Sequence, residues 1–223
     1  MKYYLSPSIM CGDLLNLETE IKILEKAKVE LIHFDIMDTT FTNQTMLPFR
    51  LAPMISKITN IPLDIHVMID QPERIVDTLT PLAKNNYIEI HYECTRESAR
   101  IYQAISEAGG HPAVVINTAT PVSVLEETLP YVDMINLILG NAGCSPRMPL
   151  NDQMLNKISK TRKMIDDSGK DIILEVDGAV NFDTALKAKE HGANSFVLGT
   201  SSIYRPEWDV VEQCDKFRKH LGI

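Results

Sequence analysis

Eight short apolar runs with a strong β leaning recur along the chain, and no other feature restricts its fold as much. They occupy residues 3–5, 31–34, 63–68, 87–90, 113–116, 134–139, 172–176 and 195–198. Their starts lie 21 to 38 residues apart, room for one strand, one helix and two turns each. Helix-period segments fill the gaps. Residues 14–27 place Leu14, Leu17, Ile21 and Leu24 on one face, with Asp13 positioned to cap the start. Residues 95–108 end in Gly109-Gly110, and residues 151–165 and 181–191 show the same period, the last followed by Gly192 as a helix stop. Strands alternating with helices imply a parallel sheet, and eight such units favour closure into an α/β (β/α)8 barrel. An open doubly wound sheet is the alternative. It needs a G-x-G-x-x-G loop after the first strand, where this chain has Ser6-Pro7-Ser8-Ile9-Met10-Cys11-Gly12. No Ser/Gly/Pro-rich linker divides the series, so residues 1–223 are expected to form one barrel domain, and only residues 37–53 and 140–151 are long enough to be functional loops.

Composition narrows the partners. Lys and Arg total 22 against 30 Asp and Glu, a formal charge of −8, and no basic run offers a footprint for a phosphate backbone, so nucleic acid is not expected. No stretch approaches the roughly 20 apolar residues of a membrane helix, and the N-terminus lacks a signal-peptide apolar region. A cytoplasmic protein without membrane contact is the expectation. Cys11, Cys94, Cys144 and Cys214 are scattered with no C-x-x-C pair, which suggests reduced thiols rather than a disulfide framework or a cysteine zinc site.

In a barrel of this kind chemistry sits where the strands end. Three ends carry paired polar residues: His33-Phe34-Asp35, Asp64-Ile65-His66 and Glu175-Val176-Asp177. Residues at i and i+2 share a strand face, so each pair points into one cavity. Two imidazoles and two carboxylates at a barrel mouth suit a divalent metal, and nitrogen ligands favour zinc, iron, manganese or cobalt over magnesium or calcium. Asp64 and Glu175 lie two residues deeper and are expected to orient the groups above them. His91, closing the fourth run, either lines the pocket or caps its strand. His111 and His191 fall in turn and helix-end contexts and are expected to be solvated. Met37 and Met68 share the inward parity and should form apolar walls. After the seventh and eighth strands come Asp177-Gly178-Ala179 and Gly199-Thr200-Ser201, where short glycine turns commonly present backbone N–H groups to a phosphate.

These residues resemble a known family. Ser6-Pro7-Ser8-Ile9-Met10-Cys11, Ile32-His33-Phe34-Asp35-Ile36-Met37-Asp38, Pro62-Leu63-Asp64-Ile65-His66-Val67-Met68, Asn117-x-Ala119-Thr120-Pro121 and Leu174-Glu175-Val176-Asp177-Gly178 are similar to the successive signatures of the ribulose-phosphate 3-epimerase family, in order and over nearly the whole chain. The first of these and the ending Val197-Leu198-Gly199-Thr200-Ser201 look closer to its D-allulose-6-phosphate 3-epimerase branch. The resemblance implies a TIM barrel of the ribulose-phosphate-binding type that inverts C3 of a ketose phosphate, either D-allulose 6-phosphate or D-ribulose 5-phosphate. It implies one divalent metal ion on His33, Asp35, His66 and Asp177, chelating the C2 and C3 oxygens and stabilising an enediolate. Asp35 and Asp177 match the acid/base pair. Ser8, His66, Gly143, Gly178, Ala179, Gly199 and Thr200 match substrate-contacting positions. Met37, Met68 and Ile138 would line the pocket, Ile138 standing where the family has a third methionine. The family also suggests a homo-oligomer, either dimer or hexamer.

The chain departs from the family pattern at the substrate end. The family loop Asn-Pro-Gly-Phe-Gly-Gly-Gln is here Asn141-Ala142-Gly143-Cys144-Ser145-Pro146-Arg147, so its two-glycine phosphate cradle is missing, and Arg147 is expected to replace it with a charged clamp. The family's Met-Asp-Gly-x-Phe-Val-Pro-Asn is one residue shorter, Met37-Asp38-Thr39-Thr40-Phe41-Thr42-Asn43, and Asp-Gly-Gly becomes Asp177-Gly178-Ala179. Three alternatives follow: a family member acting on another phosphorylated ketose, a sugar-phosphate-binding barrel without catalysis, and a related decarboxylase. The last is associated with an Asp-x-Lys-x-x-Asp strand end, and the residues after Asp35, Ile36-Met37-Asp38, contain no lysine.

Overall fold

The structure is a computed structural model that describes residues 1–143 and 148–223. Among the described residues, strands β1 (Tyr4–Pro7), β2 (Ile32–Met37), β3 (Leu63–Met68), β4 (Tyr87–His91), β5 (His111–Ile116), β6 (Met134–Ile138), β7 (Ile173–Asp177) and β8 (Ser195–Leu198) form one parallel sheet in the order β1-β8-β7-β6-β5-β4-β3-β2. The sheet curls until its ends meet. A parallel bridge between Ser8 and His33 and a 3.2 Å bond from Leu31 N–H to the Leu5 carbonyl close β1 onto β2. The (β/α)8 barrel expected from the spacing is the fold observed.

Helices α1 (Leu17–Lys26), α2 (Ala52–Ile55), α3 (Val76–Ala83), α4 (Ser98–Glu107), α5 (Asp152–Ser168), α6 (Phe182–Glu190) and α7 (Val210–Leu221) surround it. Asp13 caps a single 3-10 turn, Leu14–Asn16, by accepting from Leu15 N–H at 2.9 Å, and α1 follows. Helix α4 begins three residues later than its apolar period because the Thr95 hydroxyl accepts from Glu97 N–H at 3.0 Å, a local turn that competes with helix. Beyond β5 the crossover is made of 3-10 turns, Val122–Leu125 and Leu129–Tyr131, rather than an α-helix.

Strand β5 corrects two readings. It starts at His111, two residues before the apolar run, because Pro112 lacks a ladder donor and hides the strand from the pattern, although its carbonyl accepts from Asp133 N–H at 2.9 Å. His111 is therefore a strand residue, bonded through Nδ1 to Asp133 Oδ2 at 2.7 Å and stacked on Tyr87. His191 is likewise partly buried, its Nδ1 2.7 Å from the Ser159 hydroxyl.

Strand parity sorts side chains into two cores. Outward residues such as Phe34, Ile65, Ile90, Leu137, Val176 and Phe196 pack under the helices in the main apolar core. Inside the barrel, Leu31, Ala113, Met134 and Ile173 form a small plug flanked by Tyr4 and Tyr87. Above it the interior is polar and fully buried: Ser6, His33, Asp64, Glu89, Asn136, Glu175 and Ser195. Register carries this layer round the ring, pairing His33 with Asp64, His66 with Glu89, and Asn136 with Glu175. Buried carboxyls are costly unless hydrogen-bonded or neutralised, so this layer marks where the fold gives up stability to hold polar groups in place.

Candidate active site

The register that builds the barrel also assembles its mouth. Asp35 pairs across to His66, Met37 to Met68, and Ile138 to Asp177. His33 Nε2 lies 3.4 Å from Asp35 Oδ1. His66 Nδ1 is 3.3 Å from His33 Nε2, 3.6 Å from Asp177 Oδ2 and 3.9 Å from Asp35 Oδ1. His33, Asp35 and His66 form the tight core of this group, and Asp177 joins it through His66. Four donors arranged tetrahedrally about 2.1 Å from one ion lie roughly 3.4 Å apart. The donor set thus has both the chemistry and the spacing to hold a divalent cation.

His33 and Asp35 are each oriented from behind. His33 donates through Nδ1 to Asp64 Oδ2 at 2.7 Å, which also accepts from the Ser6 hydroxyl at 3.0 Å. That leaves Nε2 to face the group. The Ser8 hydroxyl donates to Asp35 Oδ2 at 2.6 Å. Deeper still, the Ser195 hydroxyl donates to Glu175 Oε2 at 2.5 Å and the Asn136 amide to Glu89 Oε2 at 3.1 Å.

The two aspartates are driven apart electrostatically. Burial works to raise Asp35, but the His33 charge and hydrogen bonds from His33 and Ser8 hold it below the ordinary carboxylate value. Burial pushes Asp177 up to about 6, with Asp35 adding to the rise and His33 opposing it. His33 is resisted by burial yet raised well above the usual imidazole value by Asp35 and Asp64. His66 is held well below it by burial, with His91 and His33 contributing. Burial and Asp64 raise both Glu89 and Glu175 well above the carboxylate range.

A cavity of about 270 Å³ opens above this group. Ser8, Asp35, Met37, Met68, Ile138, Gly143, Asp177, Gly178, Ala179, Gly199 and Thr200, all singled out from sequence, line it. His33 and His66 lie beneath its floor, fully buried. Gly178 has φ +108° and Ala179 φ +52°, so this turn passes through the left-handed region that favours glycine. Gly143, φ +81°, packs against Thr42: a Cβ there would come within 3.1 Å of it, which brings the loops after β2 and β6 together. The Gly199 N–H is bonded to the Ser202 hydroxyl at 3.1 Å. Arg147 and Cys144 lie outside the described residues.

Comparison with known proteins settles the lineage. A model of the ribulose-phosphate 3 epimerase family matches residues 4–204. The chain belongs to the ribulose-phosphate 3-epimerase family. Ribulose-phosphate 3-epimerase of Bacillus subtilis (strain 168) is 34% identical over 200 residues, covering 89% of this chain and 91% of the relative. That of Escherichia coli (strain K12) is 32% identical over 222 residues, 99% and 97% of the two chains. The tryptophan synthase alpha-subunit of Pyrococcus furiosus, at 13% identity and full coverage of both chains, superposes with a TM-score of 0.69 and so shares the barrel fold. The protein is an isomerase of the epimerase class, acting on a ketose phosphate.

Within this epimerase, Glu89 and Glu93 escape a reading of strand ends, which leaves the part of His91 open. Glu89 repeats on β4 the acid-x-His spacing of Asp64 and His66, but an apolar run closed at Ile90 conceals the Glu89-x-His91 pair. His91 is fully buried, its Nε2 2.8 Å from His66 Nε2, with Phe41 from the β2 loop packed on its ring at 4.7 Å. Glu93 sits in the turn after β4, where burial works against its charge, yet bonds from His91, Thr120 and Asn117 lower it to about 2.

Proposed function

We propose that this chain inverts C3 of a phosphorylated ketose by two-sided proton transfer between Asp35 and Asp177, with His33, Asp35, His66 and Asp177 holding one divalent cation. The observation that carries the proposal is the convergence of four donors at 3.3–3.9 Å directly beneath a cavity lined by both aspartates. A bound cation supplies Lewis-acid stabilisation of the negative charge that develops on substrate oxygens next to C3. Zinc, iron, manganese and cobalt all suit two imidazoles and two carboxylates.

The protein residues perform the proton chemistry. Inversion beside a carbonyl needs one group to take the C3 proton and another to return a proton on the opposite face. Strands β2 and β7 are three places apart round the ring, through β1 and β8, so Asp35 and Asp177 approach the cavity from different sides. Asp35 starts as carboxylate and base and Asp177 as the acid, the roles exchanged in the reverse direction; the lowering of Asp35 and raising of Asp177 by their surroundings support this order. Ser8, through its bond to Asp35 Oδ2, aims that carboxylate. Met37, Met68 and Ile138 form the apolar wall that limits water around the carbanionic intermediate. Gly143, Gly178, Ala179, Gly199 and Thr200 receive the phosphate end, with Arg147 as its cationic partner on the strength of sequence position. The resemblance extends the proposal to a cytoplasmic homo-oligomer.

D-Ribulose 5-phosphate and D-allulose 6-phosphate are the proposed substrates. Supplying each to metal-loaded protein and following the C3 carbon by 13C NMR should show conversion of at least one to its C3 epimer. Recovery of both, and of other ketose phosphates, without any epimer would overturn the proposal.

A further inference from the structure

The Asn117-x-Ala119-Thr120-Pro121 signature lies on no wall of the cavity and has no part in the proton chemistry above, yet it is tied to the metal-ligand cluster. Glu93 Oε1 accepts from Asn117 N–H at 2.8 Å and from the Thr120 hydroxyl. Glu93 Oε2 lies 3.2 Å from His91 Nδ1, and His91 Nε2 lies 2.8 Å from His66 Nε2. Lys157 fixes the far end, its ammonium donating to the carbonyls of Asn117 at 2.5 Å and Thr120 at 2.7 Å.

With both imidazoles neutral, only one proton arrangement satisfies every contact in this chain. A carboxylate facing His91 can only accept, so His91 carries its proton on Nδ1 and leaves Nε2 bare. A bare His91 Nε2 requires His66 to carry its proton on Nε2. His66 Nδ1, the atom that faces His33, Asp35 and Asp177, is then a lone-pair donor. We infer that His91 and Glu93, anchored by Asn117 and Thr120, are positioning residues that lock His66 in the Nε2–H tautomer and thereby set the affinity of the cluster for a divalent cation. The inference rests on the proposed role of His66 as a ligand. The pair does for His66 what Asp64 on β3 does for His33, with one more imidazole in the path.

Glu93→Gln tests it sharply. Asn117 N–H cannot accept, so the carbonyl of the introduced amide must turn toward it and the amide N–H₂ toward His91 Nδ1, which reverses every donor along the chain and places a proton on His66 Nδ1. With Zn²⁺ as the probe in competition with a chromophoric chelator, the variant should bind about 10–100-fold more weakly than the parent protein. Long-range 1H–15N spectra of the parent protein need no variant to fold: they should show His66 protonated at Nε2 and His91 at Nδ1. Zn²⁺ affinity within twofold of the parent, or His66 protonated at Nδ1 in the parent, would overturn the inference. Neither readout involves turnover, so a zinc-loaded protein that failed to epimerise any ketose phosphate would refute the proposed function and leave this result standing on its own.

Discussion

The two halves of the barrel mouth are built from different materials. On the β2–β3–β7 side the candidate ligands and proton carriers are side chains on strands, their directions set by register and their atoms held by buried bonds such as Ser8 to Asp35 and His33 to Asp64. On the side formed by the loops after β6, β7 and β8, the cavity wall is loop, with Gly143, Gly178 and Ala179 at positive φ, and the loop after β6 departs in sequence from the family's pattern. In the proposed reaction this contrast separates proton transfer from recognition. A strand cannot slip by one residue without turning His33 and Asp35 out of the barrel, whereas a loop can change length and composition and still surround an anion.

The largest expected effect lies on the strand side. Asp35→Asn and Asp177→Asn should each lower epimerisation by about 10³-fold or more, since each removes one of two required proton carriers. Steady-state rates with either substrate check this, and a variant retaining a tenth of the activity would break the division between the halves. An intermediate effect is expected in the turn after β7. Gly178→Ala should cost about 1–2 kcal/mol and raise KM, because its φ of +108° is one that a side chain strains. Ala179→Gly should stay within about 1 kcal/mol of the parent, since relief at φ +52° offsets the added freedom of the unfolded chain. Denaturant unfolding and KM together measure both.

A pH-dependent effect concerns Glu93, which joins the halves through Asn117, itself bonded by its side chain to Ala142 N–H at 3.1 Å. Its folded value of about 2 lies below the ordinary 4.5. Its contribution to stability is therefore complete above about pH 4.5 and is lost as pH falls toward 2. The unfolding free-energy gap between the parent and Glu93→Gln should shrink over that window. A gap unchanged between pH 6 and pH 2.5 would show that the carboxylate charge is not what holds the two sides together.

The same division governs how much could be read in advance. The barrel was legible because eight apolar runs and their intervening helical periods are local patterns. His33, Asp35, His66 and Asp177 were legible because i, i+2 parity survives folding unchanged. The role of His91 was open because its decisive partners, His66 on β3 and Glu93 in a turn, are set by register between strands. Asn117 and Thr120, 24 and 27 residues beyond Glu93, are joined to it only by the pairing of β4 with β5. His111 was misplaced because Pro112 masks a strand start. Ser202 capping the Gly199 N–H could not be foreseen from a glycine turn that looks open in sequence.

Two aspartates that exchange the C3 hydrogen with solvent on opposite faces of the substrate would leave a mark in product formed in D₂O. Running the metal-loaded enzyme in D₂O with the ketose phosphate it converts, and measuring hydrogen at C3 of the product by NMR, tests this directly. Deuterium is expected at C3 in essentially every inverted molecule, because the returned proton comes from a carboxyl equilibrated with solvent. Inverted product that keeps its original C3 hydrogen would contradict it.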